Sequence, residues 1–488
     1  MYDVLIIGAG IAGTAIARRL SRYQLSICLV EKANDVAMGS TKANSAIVHG
    51  GYAEANAKLK GRLCYQGRVQ FAQLNEELHF GFRQTGSLVI TTDENDLPKL
   101  QAMLENGKKN GLTDLKILNH EEIMALEPNI NKEVRYALYC EGAGVCSPYE
   151  MAIALAENAV HNGVDLYLYS EVVGIEKEAD HFLVHMQNRD FKARYVINAA
   201  GLSSAQIDQM VNEKSFEIHP RSGEYLLFAA GTGNALNTVV FQMPSKMGKG
   251  ILVTSTYHGN LLLGPDAIDE DGGVDRSTHV ERLWNIYQSG LLTTDKIDTE
   301  TFIRSFTGIR AVASTDDFIV GATATPGFIN VAGIQSPGLT SSPAIADMVV
   351  EELSAQGLSL VEDPSYDPYR APILHPKEKL DFEELSRRID LPSCPEKIIC
   401  RCEQVDEATI VDCLHRGIPV LSVDGVKRRT RASMGYCQGA FCRPRIQAIM
   451  EREYGVPIDT STDIQKEGAA RVTREEFLAY ERQQKKDC

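Results

Sequence analysis

No uninterrupted apolar run in this 488-residue sequence approaches the roughly 18 residues that a membrane-crossing helix needs. Positive charge is in deficit as well. Lys and Arg number 50 against 65 Asp and Glu, a formal net charge of -15, which argues against nucleic acid as a partner and offers no basic face to anionic lipid. Cysteine is sparse. Eleven residues are too few for a disulfide scaffold, and four of them gather near the C-terminus with ligand-like spacing. No internal repeat is found, and the single tryptophan, Trp284, sits on the apolar face of a helix read over 278–291, where it reads as core. The chain enters a strand pattern at once, with no room for a secretory leader, so a cytoplasmic protein is expected. With 44% hydrophobic and 24% charged residues, the rest is an ordinary globular composition, long enough for two to four domains.

What is present begins with residues 1–32. Asp3 to Ile7 is a short apolar β-type run, and Gly8-Ala9-Gly10-Ile11-Ala12-Gly13 turns it into a helix carrying Ile16 and Leu20. Ser26 to Val30 is a second such run, ending in Glu31 and Lys32. Gly8 suits the tight turn. Gly10 lets backbone approach a pyrophosphate at the helix N-terminus, and Gly13 lets helix pack on strand. Glu31, eighteen residues beyond Gly13, is placed to accept from a ribose hydroxyl. A glycine-rich turn alone names no ligand; strand, helix, strand and acid in register read as a dinucleotide site.

Small polar residues follow. Ser40, Thr41, Asn44 and Ser45 suit a backbone threading past a cofactor. His49 beside Gly50 and Gly51 reads either as a base brought close to a ring or as a satisfied structural histidine. Residues 81–144 carry no phosphate motif and read as the first part of a substrate domain. A helix over 147–163 leads to strand-like runs, and Tyr195 to Gly201 is a buried run ending in small residues, including Ala200, that permit another close approach. Short β-type runs between 218 and 264 read as an antiparallel sheet. Gly308-Ile309-Arg310 precedes a strand, and Gly333 to Gly338-Leu339-Thr340 is a second glycine-rich turn opening a helix, able to hold an anionic group. Six of the eighteen prolines fall in 363–399, which marks an extended linker with one helix around 381–388. Thr473-Arg474-Glu475-Glu476 is a capping box opening a polar helix and charged tail.

Cys400 and Cys402 are separated by one residue, Cys437 and Cys442 by four, with thirty-four between the pairs. Structural zinc favours gaps of two to four, so the first pair fits it poorly and a [2Fe–2S] cluster better. Cys413 reads as packed. Lys427, Arg428, Arg429, Arg431, Arg443 and Arg445 crowd the same stretch. They read either as charge compensation and docking for an acidic partner or as a solvated basic patch.

These residues taken together resemble a known family. Gly8 to Gly13, Asn44-Ser45 leading to His49-Gly50-Gly51, Ser222-Gly223-Glu224-Tyr225, Gly308-Ile309-Arg310 and Gly338-Leu339-Thr340 resemble the D-amino-acid-oxidase-like FAD enzymes over roughly residues 1–360. Cys400-Arg401-Cys402 with Met434-Gly435-Tyr436-Cys437-Gln438-Gly439 resembles the bacterioferritin-associated-ferredoxin-like [2Fe–2S] module. The resemblance implies FAD rather than NAD. It implies an α/β fold: a Rossmann-type FAD-binding part (about 1–80, 145–215 and 305–362) interleaved with an antiparallel substrate domain (about 81–144 and 216–304). A Pro-rich linker (363–397), a small, mainly helical [2Fe–2S] domain (398–456) and a polar helical tail (457–488) complete the chain. It adds Val173 and Gly201 to the cofactor contacts, gives Arg310 the substrate's anionic group, and puts His49 by the flavin ring.

The combination is similar to the large subunits of anaerobic glycerol-3-phosphate dehydrogenases. That implies oxidation of sn-glycerol 3-phosphate to dihydroxyacetone phosphate by hydride transfer to FAD, with electrons leaving through the cluster to partner subunits. Any membrane association would be peripheral, through such a partner. One departure stands: Tyr52-Ala53-Glu54 follows the two glycines where those enzymes usually have Leu-Arg-Tyr. The stretch from Asn44 to Leu63, with Lys58 and Lys60, is as similar to L-2-hydroxyglutarate oxidases. An L-2-hydroxyglutarate or amino-acid dehydrogenase, and a non-catalytic electron-transfer subunit, are the alternatives.

Overall fold

The apolar run at the N-terminus becomes the strand Tyr2–Ile7, whose residues Val4 to Ile6 are fully buried. A strand apolar on both faces needs cover on both. It lies inside an eight-stranded sheet, parallel to Ile27–Val30 on one side and to Asp190–Asn198 on the other. In this computed structural model the described residues are 1–488 apart from 244–249, 271–272, 374–381, 389–390, 392, 459–468 and 488. Phe328–Ala332 pairs in parallel with the C-terminal half of Asp190–Asn198, and Val172–Lys177 and Phe182–Met186 extend the sheet as an antiparallel meander. Helices Ile11–Leu20, Pro148–His161 and Gly338–Ala355 share one core with the sheet. Three distant stretches of chain therefore build the dinucleotide fold.

A second sheet has nine strands. Its long pair, Ile218–Ala230 against Phe302–Ala313, is antiparallel and brings Arg221 opposite Arg310. Val239–Gln242 runs parallel to Ser87–Thr91, which stitches the two sequence halves of this domain together. Helix Val280–Leu291 covers one face, with Trp284 packed against it. The C-terminal helix Arg474–Asp487 lies beside it. Phe477 is fully buried and touches Trp284, Tyr287 and Phe302. The helix of the polar tail is thus a packed layer, held by Phe477 and Tyr480, which a polar pattern conceals. Its capping box forms, with Glu476 accepting from the Thr473 N–H at 2.7 Å.

Helices Glu407–Leu414, Val423–Thr430 and Arg443–Tyr454 enclose the third core, which includes a fully buried Cys413 whose thiol burial pushes up to about 12. Asp35, at the end of the first βαβ unit, joins this domain to the first. Its carboxylate, 1% exposed, accepts from Arg428 at 2.6 Å and from Arg429 at 2.8 Å twice over. Arg431 pairs with Glu403 and Arg443 with Asp424, both at 2.8 Å. These four arginines are internal struts, and neither the solvated patch nor the partner surface describes them. Within the expected linker, Phe382–Arg388 is helical. Near the start of that linker, Arg370 is buried against Glu157 at 2.6 Å. Residues 374–381, 389–390 and 392 of that linker, and 459–468 of the tail, lie outside the described residues.

Candidate functional site

The cradle at the ends of the central strands is shaped by missing side chains. A Cβ on Gly13 would lie 1.9 Å from the Gly8 carbonyl oxygen, and one on Gly8, itself at φ +101°, 2.6 Å from the Ala199 carbonyl oxygen. A Cβ on Gly10 would meet only Thr41 Oγ1, at 3.4 Å, so its outer side is open to a ligand. Helix Ile11–Leu20 begins there without a side-chain cap on Gly10, and the Ile11 N–H donates to Thr41 Oγ1 at 3.0 Å. Buried Ala12 occupies the first turn. Bare N–H groups at a positive helix end suit a pyrophosphate. Glu31 accepts from the Ala9 N–H at 2.8 Å and the Ala33 N–H at 2.9 Å. Burial pushes its carboxyl above the ordinary range against those two bonds. Lys32 reaches Ser203 Oγ at 3.4 Å, beside Ala200 and Gly201. Val173, 53% exposed, is the bulged residue between the pairs Val172–Met186 and Gly174–His185, two strands from the central one. The residues present fit a dinucleotide.

The loop behind the cradle is braced from within. Ser40 Oγ donates to the Ile309 carbonyl at 2.5 Å, and the Asn44 amide spans the Thr41 carbonyl and the Ala46 N–H, each at 2.8 Å. Gly308 is packed so tightly on this loop that a Cβ there would lie 2.0 Å from the Ala43 carbonyl oxygen. Ser40 and Asn44 are therefore loop braces by their side chains, leaving backbone to face a ligand.

The second glycine-rich turn, from Gly333 to the helix opened by Gly338 and Leu339, pins the first. Thr340 Oγ1 accepts the His49 N–H at 2.9 Å and donates to the Ile47 carbonyl at 3.2 Å. The His49 ring stacks on Phe241, centroids 5.8 Å apart, with Nε2 3.3 Å from Ser336 Oγ. Across from it, Tyr225 stacks on Phe306 at 4.6 Å and its hydroxyl lies 3.2 Å from Ser45 Oγ. Burial raises the Tyr225 phenol, and the charge of Arg310 beside it pulls the other way. Arg310 Nη2 donates to the Asp266 carbonyl at 3.3 Å. Beneath lies a buried brace. Asp266 holds Arg282 at 2.7 Å and the Glu224 N–H at 2.8 Å, while Glu224, fully buried, takes His279 at 2.7 Å. Burial, the largest influence, raises the Glu224 carboxyl, and His279 and Arg282 oppose it.

Tyr225, Ser336 and Phe241 were not singled out as functional residues from the sequence. The first two lie inside stretches that did stand out; Phe241 reaches the ring only through strand pairing and has no local signal. Lys58 and Lys60 instead pair with Asp316, and Lys60 with Glu54 as well.

At the other site the four sulfurs come as two pairs. Cys402 Sγ is 3.6 Å from Cys437 Sγ, and Cys400 is hydrogen-bonded to Cys442. Cys400 is held down to about 6 by the Cys442 thiol, helped by the Ser433, Glu403 and Cys402 N–H groups. A Cβ on Gly435 would lie 2.3 Å from Cys402 Cβ, which explains the glycine next to the ligand loop. Among the described residues no three His, Cys, Asp or Glu side chains converge on a single ion. Two thiolate pairs fit a two-iron cluster better than one tetrahedral zinc.

Comparisons with known proteins agree with both cofactors. Residues 3–352 match the family model described as FAD dependent oxidoreductase, and residues 398–452 the BFD-like [2Fe-2S] binding domain. A glycerol 3-phosphate dehydrogenase of Caloramator mitchellensis is 42% identical over 96% of this chain and 97% of its own. The mitochondrial L-2-hydroxyglutarate dehydrogenase of Homo sapiens is 28% identical over 55% of this chain and 61% of its own. Among solved structures, dithionite-reduced L-alpha-glycerophosphate oxidase from Mycoplasma pneumoniae, with FAD bound, superposes with a TM-score of 0.71 at 30% identity, covering 76% of this chain and 98% of that one.

Proposed function

Since the chain belongs to the FAD-dependent oxidoreductases and carries a [2Fe–2S] domain, we propose that it oxidises sn-glycerol 3-phosphate at C2 to dihydroxyacetone phosphate. The observation that carries the substrate is the near end-to-end likeness to a glycerol 3-phosphate dehydrogenase, cluster domain included. Bound FAD supplies a hydride acceptor and the cluster a one-electron carrier. Gly8, Gly10, Gly13, Glu31 and Lys32 would hold the dinucleotide, and Cys400, Cys402, Cys437 and Cys442 the cluster.

Arg310, turned by the Asp266 carbonyl and flanked by Tyr225, binds the substrate phosphate. His49 takes the hydroxyl proton at Nε2 once substrate displaces the Ser336 Oγ contact there, and Phe241 fixes the ring plane. No helix among the described residues is long and apolar enough to cross a membrane. We place the protein in the cytoplasm, passing electrons to a partner subunit that meets any membrane.

Anaerobic mixing tests the substrate. Glycerol 3-phosphate should bleach the flavin and L-2-hydroxyglutarate should not; the opposite result would favour the second reading, which the arginine-free Tyr52-Ala53-Glu54 supports. In the same assay His49→Asn should slow flavin reduction by about 10²-fold or more while the oxidised spectrum stays unchanged. Fast reduction with an unmoved pH profile would make His49 a packing residue. Arg310→Ala loses a charge-assisted contact of roughly 1.5–3 kcal/mol, so substrate binding should weaken at least about tenfold with FAD retained. Unchanged kinetics would assign the arginine to structure alone.

A further inference from the structure

Behind the 39–46 loop, between the dinucleotide fold, the second sheet and the cluster domain, lies a cavity with room for water-sized molecules over ≈ 220 Å³. Its charge is lopsided. Seven Lys and Arg side chains line it against a single carboxylate, Asp424, in a chain that is acidic overall. Internal partners account for some of these. Arg428 is held by Asp35 and Arg431 by Glu403, while Asp424 is itself bound to Arg443 at 2.8 Å.

Lys427 is different. Among the described residues its ammonium makes no hydrogen bond or ion pair, and it faces three cations, Arg304, Arg443 and Arg428, against one carboxylate, Asp424, which Arg443 already holds. Burial, then the Arg304 charge, pull it down to about 7. Arg304, bonded to the neutral Gln438 at 2.9 Å, is likewise pulled down to about 10 by burial and by Arg471. Buried cations that outnumber the anions beside them carry a heavy desolvation and repulsion cost. A bound anion removes it. Much of the remaining wall is apolar or aromatic, including Tyr149, Tyr257, Phe306 and Leu262, with His258 and several Ser, Thr and Asn side chains between them. Arg310 and His49 are not among the lining residues, so this is a separate site from the proposed substrate pocket.

We infer that this cavity binds a phosphate ester with a flat apolar body, a mononucleotide in chemical class, whose phosphate meets Lys427 and Arg304 and whose body rests on the aromatic wall. The ligand sits between the flavin-threading loop and the cysteine loop, where Met434 and Gln438 also line the cavity.

The test uses the FAD- and iron-loaded chain carrying Arg310→Ala, so that phosphate bound in the proposed substrate pocket does not contribute. Calorimetry with adenosine monophosphate and with inorganic phosphate should show one nucleotide per chain, bound at least tenfold tighter than phosphate. Adding Lys427→Met should weaken nucleotide binding at least tenfold with FAD and iron content unchanged, and Lys427→Arg should restore it. Absence of nucleotide binding, equal binding of the two probes, or binding indifferent to Lys427→Met would overturn the assignment. The substrate reading is judged separately, from flavin reduction in the Arg310→Ala chain.

Discussion

Gly13→Ala should yield a chain that purifies without its yellow colour. The added methyl would lie 1.9 Å from the Gly8 carbonyl oxygen, a distance that no rotamer can relieve because the backbone alone places Cβ and its partner is a backbone atom. Helix and strand must part, and Gly8 has no room to retreat, since a Cβ there would lie 2.6 Å from the Ala199 carbonyl oxygen. The helix N-terminus then no longer faces the pyrophosphate. The expected measurement is the ratio of flavin absorbance to protein, near zero in the variant. Because overpacking of this kind also destabilises, typically by about 1–3 kcal/mol, the [2Fe–2S] absorbance serves as the folding control. Full flavin content in a folded Gly13→Ala chain would refute the cradle.

Asp35→Asn should undock the cluster domain. The carboxylate is buried between Arg428 and Arg429, and Glu157 lies 3.9 Å from Arg429. Removing one partner of a buried ion network leaves uncompensated charge, at a cost of about 3–5 kcal/mol. Loss should appear as a lower midpoint for thermal bleaching of the iron–sulfur absorbance. The two arginines hold the Asp35 carboxyl well below the usual carboxylate range despite its burial. A depressed folded value stabilises at any pH above the unfolded value, near 3.9, and that contribution fades as pH falls below it. The gap between variant and parent should thus be constant from about pH 6 to 8 and narrow below about pH 4. Replacing Asp35, Arg428 and Arg429 together by apolar residues should recover most of the loss. An Asp35→Asn chain as stable as the parent at pH 7 would show that the domains are held by their apolar contacts alone.

Much of both cofactor sites was legible because each depends on short-range chemistry. Gly13 is required by a contact within its own turn, and Cys400, Cys402, Cys437 and Cys442 are the only cysteines of their stretch apart from a buried Cys413. The strand and helix periods around them are local as well. His49 and Arg310 stood out for neighbouring glycines, yet their surroundings did not. Phe241 reaches the His49 ring because Val239–Gln242 pairs in parallel with Ser87–Thr91, about 150 residues away in sequence.

Sequence by itself pointed to FAD and to a [2Fe–2S] cluster, since backbone sterics and ligand chemistry act over a few residues. Tertiary structure alone decided what the charges do. A row of lysines and arginines reads the same whether it faces water, an acidic partner or the protein's own interior. Only packing showed that Arg428 and Arg429 close on Asp35 across nearly 400 residues, that Phe477 returns the tail to the second sheet, and that Lys427 is left facing other cations. Electrostatic energy depends on burial and on distances between elements, and neither is written in the order of residues.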